Sequence, residues 1–380
     1  MNKNTINQKF FISFVKQIIK KQTHNFMYKS ADLFDDNLLL FASMLKDIEE
    51  AKNYVYVETY RINDDAIGQK FRDALTMKCK QGVTVKILVD SWGTSVSNQF
   101  FLPVINNGGE VRFFKKIKFF VDFFTKNHRR NHRKLLIIDN QITYIGSSNY
   151  TAYSLTWRES VLRITGDLTY YFKKSFNDSY KIYKKYNFNK FSFKKTIKAG
   201  DYQIIQDIPS LYHQRIRKKY TELINKAKKE ILIETPYFLP GYKLRKALMD
   251  AGERGVDVKV IIPKNSDVKL VDLLRNKYLG LYYKKNVKVL FYTPNNLHAK
   301  CLLIDNEVFS IGSPNIDYRS FRYQYEIALV GKDEKTNIAI REHISKTMID
   351  CEEFDYIKWK NRPQIEKLFE WLMLPLRYLL

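Results

Sequence analysis

The chain has 380 residues, of which 45% are hydrophobic and 15% aromatic, so its composition excludes intrinsic disorder and allows a sizeable core. The formal net charge of +25 predicts a polyanionic partner, either nucleic acid or an acidic lipid surface. Cys79, Cys301 and Cys351 lack the paired spacing of a zinc site or a disulfide framework, which favours a reducing cytosol.

Residues 1–40 form an amphipathic, basic N-terminal segment. Its most apolar run, FFISFVKQIIKK at residues 10–21, is interrupted by Lys16 and is shorter than the ~20 residues that a membrane span requires. The apolar residues recur at helical spacing beside lysines. Such a helix would lie in a membrane interface or pack on the domain, and the pattern leaves both open.

The remainder of the chain repeats itself segment by segment. Each copy reads as an apolar strand ending in Glu-Thr, an amphipathic helix closed by glycine, a β-branched strand, and one further strand. The matched segments are 51–62 with 227–238, 71–90 with 244–263, and 108–114 with 286–292. The repetition predicts two tandem α/β halves, residues 41–200 and 201–355, related by a pseudo-twofold axis. An apolar tail at 356–380 is predicted to pack on the fold or on a membrane.

Each half then carries the same short motif. The copies, NHRKLLIID and LHAKCLLID, place a histidine, a lysine and an aspartate at equal offsets: His132, Lys134 and Asp139, then His298, Lys300 and Asp305. The aspartates are followed by asparagine and predict tight turns into ITYIGSSN and VFSIGSPN. Residues i and i+2 of a strand point to one face, so each histidine projects together with its lysine.

An imidazole beside an ammonium group suits a phosphate. Two facing halves would place His132 and His298 on opposite sides of one phosphorus atom, where one attacks and the other protonates the leaving oxygen. The second histidine then deprotonates an incoming alcohol or water. Asn149 and Asn315 can add hydrogen bonds to the phosphate oxygens. Because lysine is no metal ligand and no carboxylate or cysteine cluster accompanies the histidines, the sequence predicts no metal and no cofactor.

These residues resemble the signature of the phospholipase D superfamily, H-x-K-x4-D followed by G-[SG]-x-N, and the resemblance spans residues 50–330. It implies two α/β/α sandwich halves with one shared active site. The implied catalytic residues are His132, His298, Lys134, Lys300, Asp139 and Asp305, with the aspartates fixing loops. Implied phosphate-binding residues are Lys134, Lys300, Asn149, Asn315, Ser147 and Ser313. Glu159 and Glu326 match the acidic residues that orient each imidazole.

Within the superfamily, the second half is most similar to bacterial cardiolipin synthases, through TPYFLP at 235–240 and GSPNIDYRS with Asp317, Arg319 and Ser320. This implies transfer of a phosphatidyl group between two phosphatidylglycerol molecules through a phosphohistidine, giving cardiolipin and glycerol. The first half departs from that group with GSSNYT. Two alternatives stay open: a hydrolytic phospholipase D that releases phosphatidic acid, and a metal-independent phosphodiesterase or nuclease acting on nucleic acid.

Two stretches, residues 113–126 and 170–195, interleave aromatic residues with lysines. This mixture suits the interface of an anionic bilayer, suits a single-stranded nucleic acid, or reflects compositional bias. We favour the first and predict a peripheral protein on the cytoplasmic face of the bacterial cell membrane with an anionic phospholipid substrate. Nucleic acid is the lesser alternative, and the oligomeric state is left open.

Overall fold

The computed structural model describes residues 28–115, 129–184 and 196–378. The predicted N-terminal helix at 10–21 lies outside the described residues, as do residues 116–126 and 185–195 of the two aromatic and basic stretches.

The first half is a seven-stranded mixed sheet with helices on both faces. Its strands are β1 (Tyr28–Phe34), β2 (Tyr54–Thr59), β3 (Thr84–Asp90), β4 (Glu110–Phe114), β6 (Leu135–Ile138), β7 (Ile142–Gly146) and β8 (Val161–Gly166), with a short β5 (Arg130–Asn131) outside this sheet. Its helices are α1 (Asn37–Glu50), α2 (Ala66–Lys80), α3 (Leu102–Asn106) and α4 (Leu168–Lys181). Across the sheet the strand order is β1-β8-β7-β6-β2-β3-β4.

The second half repeats this order with an extra strand at each edge. Its strands are β9 (Thr196–Ala199), β10 (Tyr202–Asp207), β11 (Glu230–Glu234), β12 (Asp257–Pro263), β13 (Val287–Tyr292), β14 (Cys301–Ile304), β15 (Val308–Gly312), β16 (Gln324–Gly331) and β17 (Cys351–Glu353). Its helices are α5 (Arg215–Lys226), α6 (Tyr242–Glu253), α7 (Lys269–Tyr283), α8 (Tyr318–Tyr323), α9 (Glu334–Ile349), α10 (Tyr356–Lys360) and α11 (Gln364–Met373). The strand order is β17-β13-β12-β11-β14-β15-β16-β10-β9. Read in reverse, its strands from β10 to β13 correspond one by one to the seven strands of the first half, which confirms the predicted duplication.

The two sheets face each other across a shared core. Alternate residues of β2 show the layering, since Val55 and Val57 belong to the core with the outer helices whereas Tyr54 and Tyr56 belong to the core shared by both halves. The largest cluster of buried apolar side chains contains residues of both halves, including Phe172 of α4 and Ile340 of α9. Because neither half can bury this surface alone, the chain folds as one unit.

The aspartate of each motif closes a tight turn, as predicted. Asp139 and Asp305 each have φ of 53°, and the asparagine that follows is also left-handed, as type I′ hairpins require. Each carboxylate accepts three backbone N–H groups at 2.6–2.9 Å: those of Lys52, Asn53 and Tyr54 for Asp139, and those of Lys228, Lys229 and Glu230 for Asp305. The geometry supports a loop-fixing role for both aspartates.

Two edge strands bear on the predicted boundaries at residues 40 and 200. Strand β1 pairs with β8, so the first half begins before residue 41, and β9 pairs with β10, so it belongs to the second sheet. Both strands lie at the edges of their sheets. The half to which an edge strand belongs depends on its partner strand rather than on a local sequence pattern. The tail packs on the second half, where Trp359 Nε1 donates to the carbonyl of Asn276 at 2.8 Å. No helix among the described residues is both long and apolar enough to cross a bilayer.

Candidate active site

The two motif histidines line one pocket between the halves. This pocket has a volume of about 310 Å³ and also contains Asn149 and Asn315. Its walls include side chains that the sequence analysis did not single out as site residues: Tyr60, Arg61, Tyr153, Trp157, Tyr237 and Asp267. The symmetry therefore brings the repeated residues to one place, as predicted.

Each imidazole is held by a carboxylate of the opposite half. His132 Nδ1 lies 3.0 Å from Glu326 Oε1, and His298 Nδ1 lies 2.8 Å from Glu159 Oε1. In sequence each glutamate follows the histidine of its own half, yet in the fold the pairs are exchanged. Since Nδ1 is engaged, Nε2 is the ring nitrogen left for a substrate.

Backbone bonds across the interface hold the same residues in place. Strand β5 pairs in parallel with the start of β16, and the His132 N–H donates to the carbonyl of Tyr325 at 3.0 Å. In the other copy, the His298 N–H donates to the carbonyl of Arg158 at 2.8 Å. Neither histidine would hold its position if the halves separated.

The motif lysines are buried beside the histidines. Nζ of each donates to the carbonyl of its own histidine at 2.7 Å. Burial and the charge of Lys300 lower the pKa of Lys134 to about 7, and burial lowers the pKa of Lys300 to about 8. An anion in the pocket would favour both ammonium forms, so the site is suited to a phosphate group.

The two copies differ electrostatically. Burial, together with Lys134 and Lys300, lowers the pKa of His132 well below its ordinary value. Burial also lowers the pKa of His298, but Glu159 opposes that shift. Burial raises the pKa of Glu326 to about 7, whereas His298 outweighs burial at Glu159 and keeps the pKa of that carboxyl low. The pair of His298 and Glu159 is therefore better able to hold a proton than its counterpart.

The turn after each motif strand places an asparagine at the pocket. A Cβ at Gly146 would meet the carbonyl of Ser160 at 2.2 Å, and one at Gly312 would meet that of Ile327 at 2.3 Å, so glycine is needed at both positions. The amide oxygens of Asn149 and Asn315 are buried without a hydrogen-bond partner among the described residues. Each of these oxygens is thus available to accept a hydrogen bond from a donor on a ligand, such as a hydroxyl group.

The sequence matches the family described as "Cardiolipin synthase, PLD-like domain" over residues 44–180 and 220–348, one match for each half. The chain belongs to this family. A cardiolipin synthase of Clostridium perfringens (strain SM101 / Type A) is 31% identical over 360 residues, covering 89% of this chain and 74% of that protein. A cardiolipin synthase of Listeria welshimeri is 35% identical over 312 residues, covering 78% of this chain and 64% of that protein.

Solved structures confirm the fold. The crystal structure of phosphatidylserine synthase from Haemophilus influenzae Rd KW20 superposes with a TM-score of 0.74 at 13% identity, covering 96% of this chain and 99% of that one. The predicted architecture of two phospholipase D-like halves is therefore correct.

In this member of the cardiolipin synthase family, the hydroxyls of the two motif serines, predicted to bind phosphate, are bonded within the protein. Ser147 Oγ donates to the carbonyl of Ser160 at 3.0 Å, and Ser313 Oγ donates to the carboxylate of Glu326. The turn directs both hydroxyls back onto the sheet, where they stabilise the strands carrying the glutamates. Their contribution to the site is indirect.

A buried histidine outside the motifs links the halves. His343 Nε2 lies 2.7 Å from Glu234, and its Nδ1 lies 3.5 Å from Asp35 of the first half. With Cys301, Glu234 and His343 form a group whose ligand-type atoms lie within 4.8 Å of one another. Burial raises the pKa of the Cys301 thiol, which disfavours the thiolate that a metal would need. Hydrogen bonding explains the Glu234 and His343 pair without a metal.

Proposed function

We propose that this chain is a cardiolipin synthase that transfers a phosphatidyl group from one phosphatidylglycerol to a primary hydroxyl of another. The observation that carries the proposal is the single pocket in which His132 and His298 meet, each held through Nδ1 by a glutamate of the opposite half, in a chain of this family. One histidine bonds to phosphorus and the other moves the proton.

In the first step, Nε2 of one histidine attacks the donor phosphorus as the bond from phosphorus to the glycerol oxygen breaks. The other histidine, protonated, gives its proton to that oxygen, and glycerol leaves. Lys134, Lys300 and the two pocket asparagines neutralise and hydrogen-bond the phosphate oxygens. The product of this step is a phosphatidyl-histidine.

In the second step, the hydroxyl oxygen of the acceptor phosphatidylglycerol attacks the same phosphorus. Its proton passes to the histidine that was deprotonated in the first step, and the bond between phosphorus and nitrogen breaks. Cardiolipin leaves, and both histidines return to their starting forms. Water as the attacking group would give phosphatidic acid instead.

The size of the pocket supports a substrate that stays in the membrane. About 310 Å³ is at the lower limit for small-molecule pockets and suits a headgroup rather than a whole lipid. The acyl chains would remain in the bilayer, which requires the pocket to open toward it. This requirement supports peripheral association with a membrane, which we place at the cytoplasmic face.

The last helix provides a surface for such an association. Four side chains of α11, together named the C-terminal apolar surface, are 49–63% exposed: Ile365, Leu368, Trp371 and Leu372. Met373 at the end of the same helix packs against a cluster that includes Val271, and Val271 lines the pocket. The exposed apolar helix therefore lies next to the pocket wall, and its attachment to an anionic bilayer is favoured by the net charge of +25.

The proposal is tested by incubating the purified protein with phosphatidylglycerol vesicles and with single-stranded DNA in the presence of a chelator. Cardiolipin and glycerol in equal amounts are expected. Phosphatidic acid as the sole lipid product would identify a hydrolase, and cut DNA without a lipid product would identify a nuclease. Either result would overturn the proposal. His132→Ala and His298→Ala should each abolish turnover.

A further inference from the structure

The two halves carry different side chains at two pairs of equivalent positions in the pocket. Arg61 of the first half aligns with Tyr237 of the second, and Tyr153 of the first aligns with Arg319 of the second. The backbone matches at these places, because Ile62 bridges Tyr150 just as Phe238 bridges Ile316. Each half therefore supplies one arginine and one tyrosine to the pocket, in opposite order.

Arg61 contacts groups next to both histidines. Its guanidinium lies 5.9 Å from the Tyr60 ring, which is 5.1 Å from the imidazole of His132. Its Nη1 donates to the Tyr153 hydroxyl at 2.8 Å, and the Tyr153 ring contacts that of Trp157 at 5.1 Å between centroids. The Trp157 ring in turn lies 5.4 Å from the imidazole of His298. These contacts fix the guanidinium of Arg61 in the pocket that the two histidines share.

The charge of Arg61 is not neutralised by a direct carboxylate contact. Within the described ranges, its hydrogen bonds go to the carbonyl of Gly93 and to the hydroxyl of Tyr153, both neutral groups, and it takes part in no ion pair. A half-buried guanidinium of this kind favours an anionic ligand, and its planar donors match two phosphate oxygens.

The corresponding position of the other half has the opposite character. The Tyr237 hydroxyl donates to the carboxylate of Asp267 at 2.6 Å, and Asp267 also lines the pocket. Arg319, at the position equivalent to Tyr153, also lines the pocket. The two halves therefore present different groups at equivalent positions, and two lipids cannot occupy the pocket equivalently.

We propose that Arg61 binds the phosphate of the acceptor lipid and thereby selects acceptor alcohols that are themselves anionic phosphodiesters. This inference rests on the proposed function, in which the transferred phosphate occupies the lysine pair. The acceptor's own phosphate is one glycerol unit away from the attacking hydroxyl. Arg61 lines the same pocket and is a further cation beside Lys134 and Lys300.

The test is a competition between two soluble acceptors for one phosphatidyl-enzyme. Donor phosphatidylglycerol is held in mixed micelles, with glycerophosphoglycerol as the anionic acceptor and deuterated glycerol as the neutral one, and the products are counted by mass spectrometry. Because both acceptors react with the same intermediate, the product ratio reports acceptor selection independently of the donor step. Arg61→Gln should lower the ratio of anionic-acceptor to neutral-acceptor product at least 10-fold.

Two further variants separate charge from folding. Arg61→Lys should retain part of the preference, because it keeps the charge without the planar donors. Arg72→Gln, a matched charge loss on α2 outside the pocket, should leave the ratio unchanged. An unchanged ratio in Arg61→Gln, or equal losses with both acceptors, would overturn the assignment of Arg61 while cardiolipin synthesis by the wild type stands. Transfer only to water by the wild type would overturn the proposed function and this inference together.

Discussion

The carboxylate of Glu159, in the first half, lies 2.8 Å from Nδ1 of His298, in the second half. Glu326 and His132 make the reciprocal contact at 3.0 Å. Each half therefore contributes a histidine to the chemistry and a glutamate that aligns the histidine of its partner. An active site divided in this way cannot be assembled from one half alone.

Replacing either glutamate should impair proton transfer without unfolding the protein. Glu159→Gln keeps the shape but removes the charge that favours protonated His298, so we expect kcat to fall about 100-fold and the pKa of the alkaline limb of the rate profile to move down. Glu326→Gln should lower kcat less, because burial already raises the pKa of Glu326 to about 7, so that less negative charge is lost in this variant. Rate profiles across pH, with the exposed Glu49→Gln as control, measure both effects. Equal losses with unshifted profiles would show that the glutamates act only structurally.

The electrostatic difference between the copies predicts which histidine attacks. His132 has the more strongly lowered pKa and is therefore neutral, as a nucleophile must be, whereas His298 with Glu159 is better suited as the acid. With a nitrophenyl phosphodiester, whose leaving group needs no proton, His298→Ala should release one equivalent of nitrophenol and accumulate phosphohistidine at position 132. His132→Ala should show neither. A burst in His132→Ala and none in His298→Ala would reverse the assignment.

The repeated motif could be read from the sequence because its information is local. Fixed offsets placed His132 beside Lys134 in the segment that leads into β6, and Asp139 and Asn140 predicted the tight turn that the structure forms as a type I′ hairpin. The duplication then implied that both copies meet. The arrangement of strands followed from the same repetition.

The contacts between the two halves could not be predicted from the sequence in this way. Glu159 stands 27 residues after His132, and nothing in that spacing indicates that its partner is His298 of the other half. Arg61 lacks a motif of its own, and its place in the pocket emerges only when the halves are superposed. For Ser147, the signature predicted contact with phosphate, but the turn geometry directs its hydroxyl to the sheet.

Anion binding should weaken as pH rises above neutrality. In the free site the pKa is about 7 for Lys134 and about 8 for Lys300, and a bound phosphodiester stabilises both ammonium forms and raises these values. Binding therefore takes up protons, and affinity falls by up to about tenfold per pH unit for each lysine that is neutral in the free site. Calorimetry with dimethyl phosphate, whose charge is constant from pH 6 to 9, measures the slope. Lys134→Met should reduce the slope, and an affinity independent of pH would contradict the prediction.

The motif aspartates should matter for stability rather than for chemistry. Asp139→Ala removes three hydrogen bonds to backbone N–H groups and places alanine at φ of 53°, so we expect a loss of about 2 kcal/mol in unfolding free energy. Asp305→Ala should lower the unfolding free energy by a similar amount. Asp139→Asn, which tolerates the left-handed conformation, should cost less. Denaturant unfolding measures the loss, and activity per folded molecule should stay near wild type in all three variants.

The C-terminal apolar surface should control binding to vesicles but not the chemistry. Burying Leu368 or Trp371 in a bilayer is worth about 2 kcal/mol each, so Leu368→Glu or Trp371→Glu should weaken binding to phosphatidylglycerol vesicles at least 10-fold. Met77→Glu, at a site of similar exposure on α2, is the matched control. Vesicle flotation measures binding, and turnover of a short-chain substrate below its micelle concentration measures the chemistry. Undiminished flotation of both α11 variants would exclude this surface as the membrane contact, whereas lost turnover of the soluble substrate would show that the helix shapes the pocket instead.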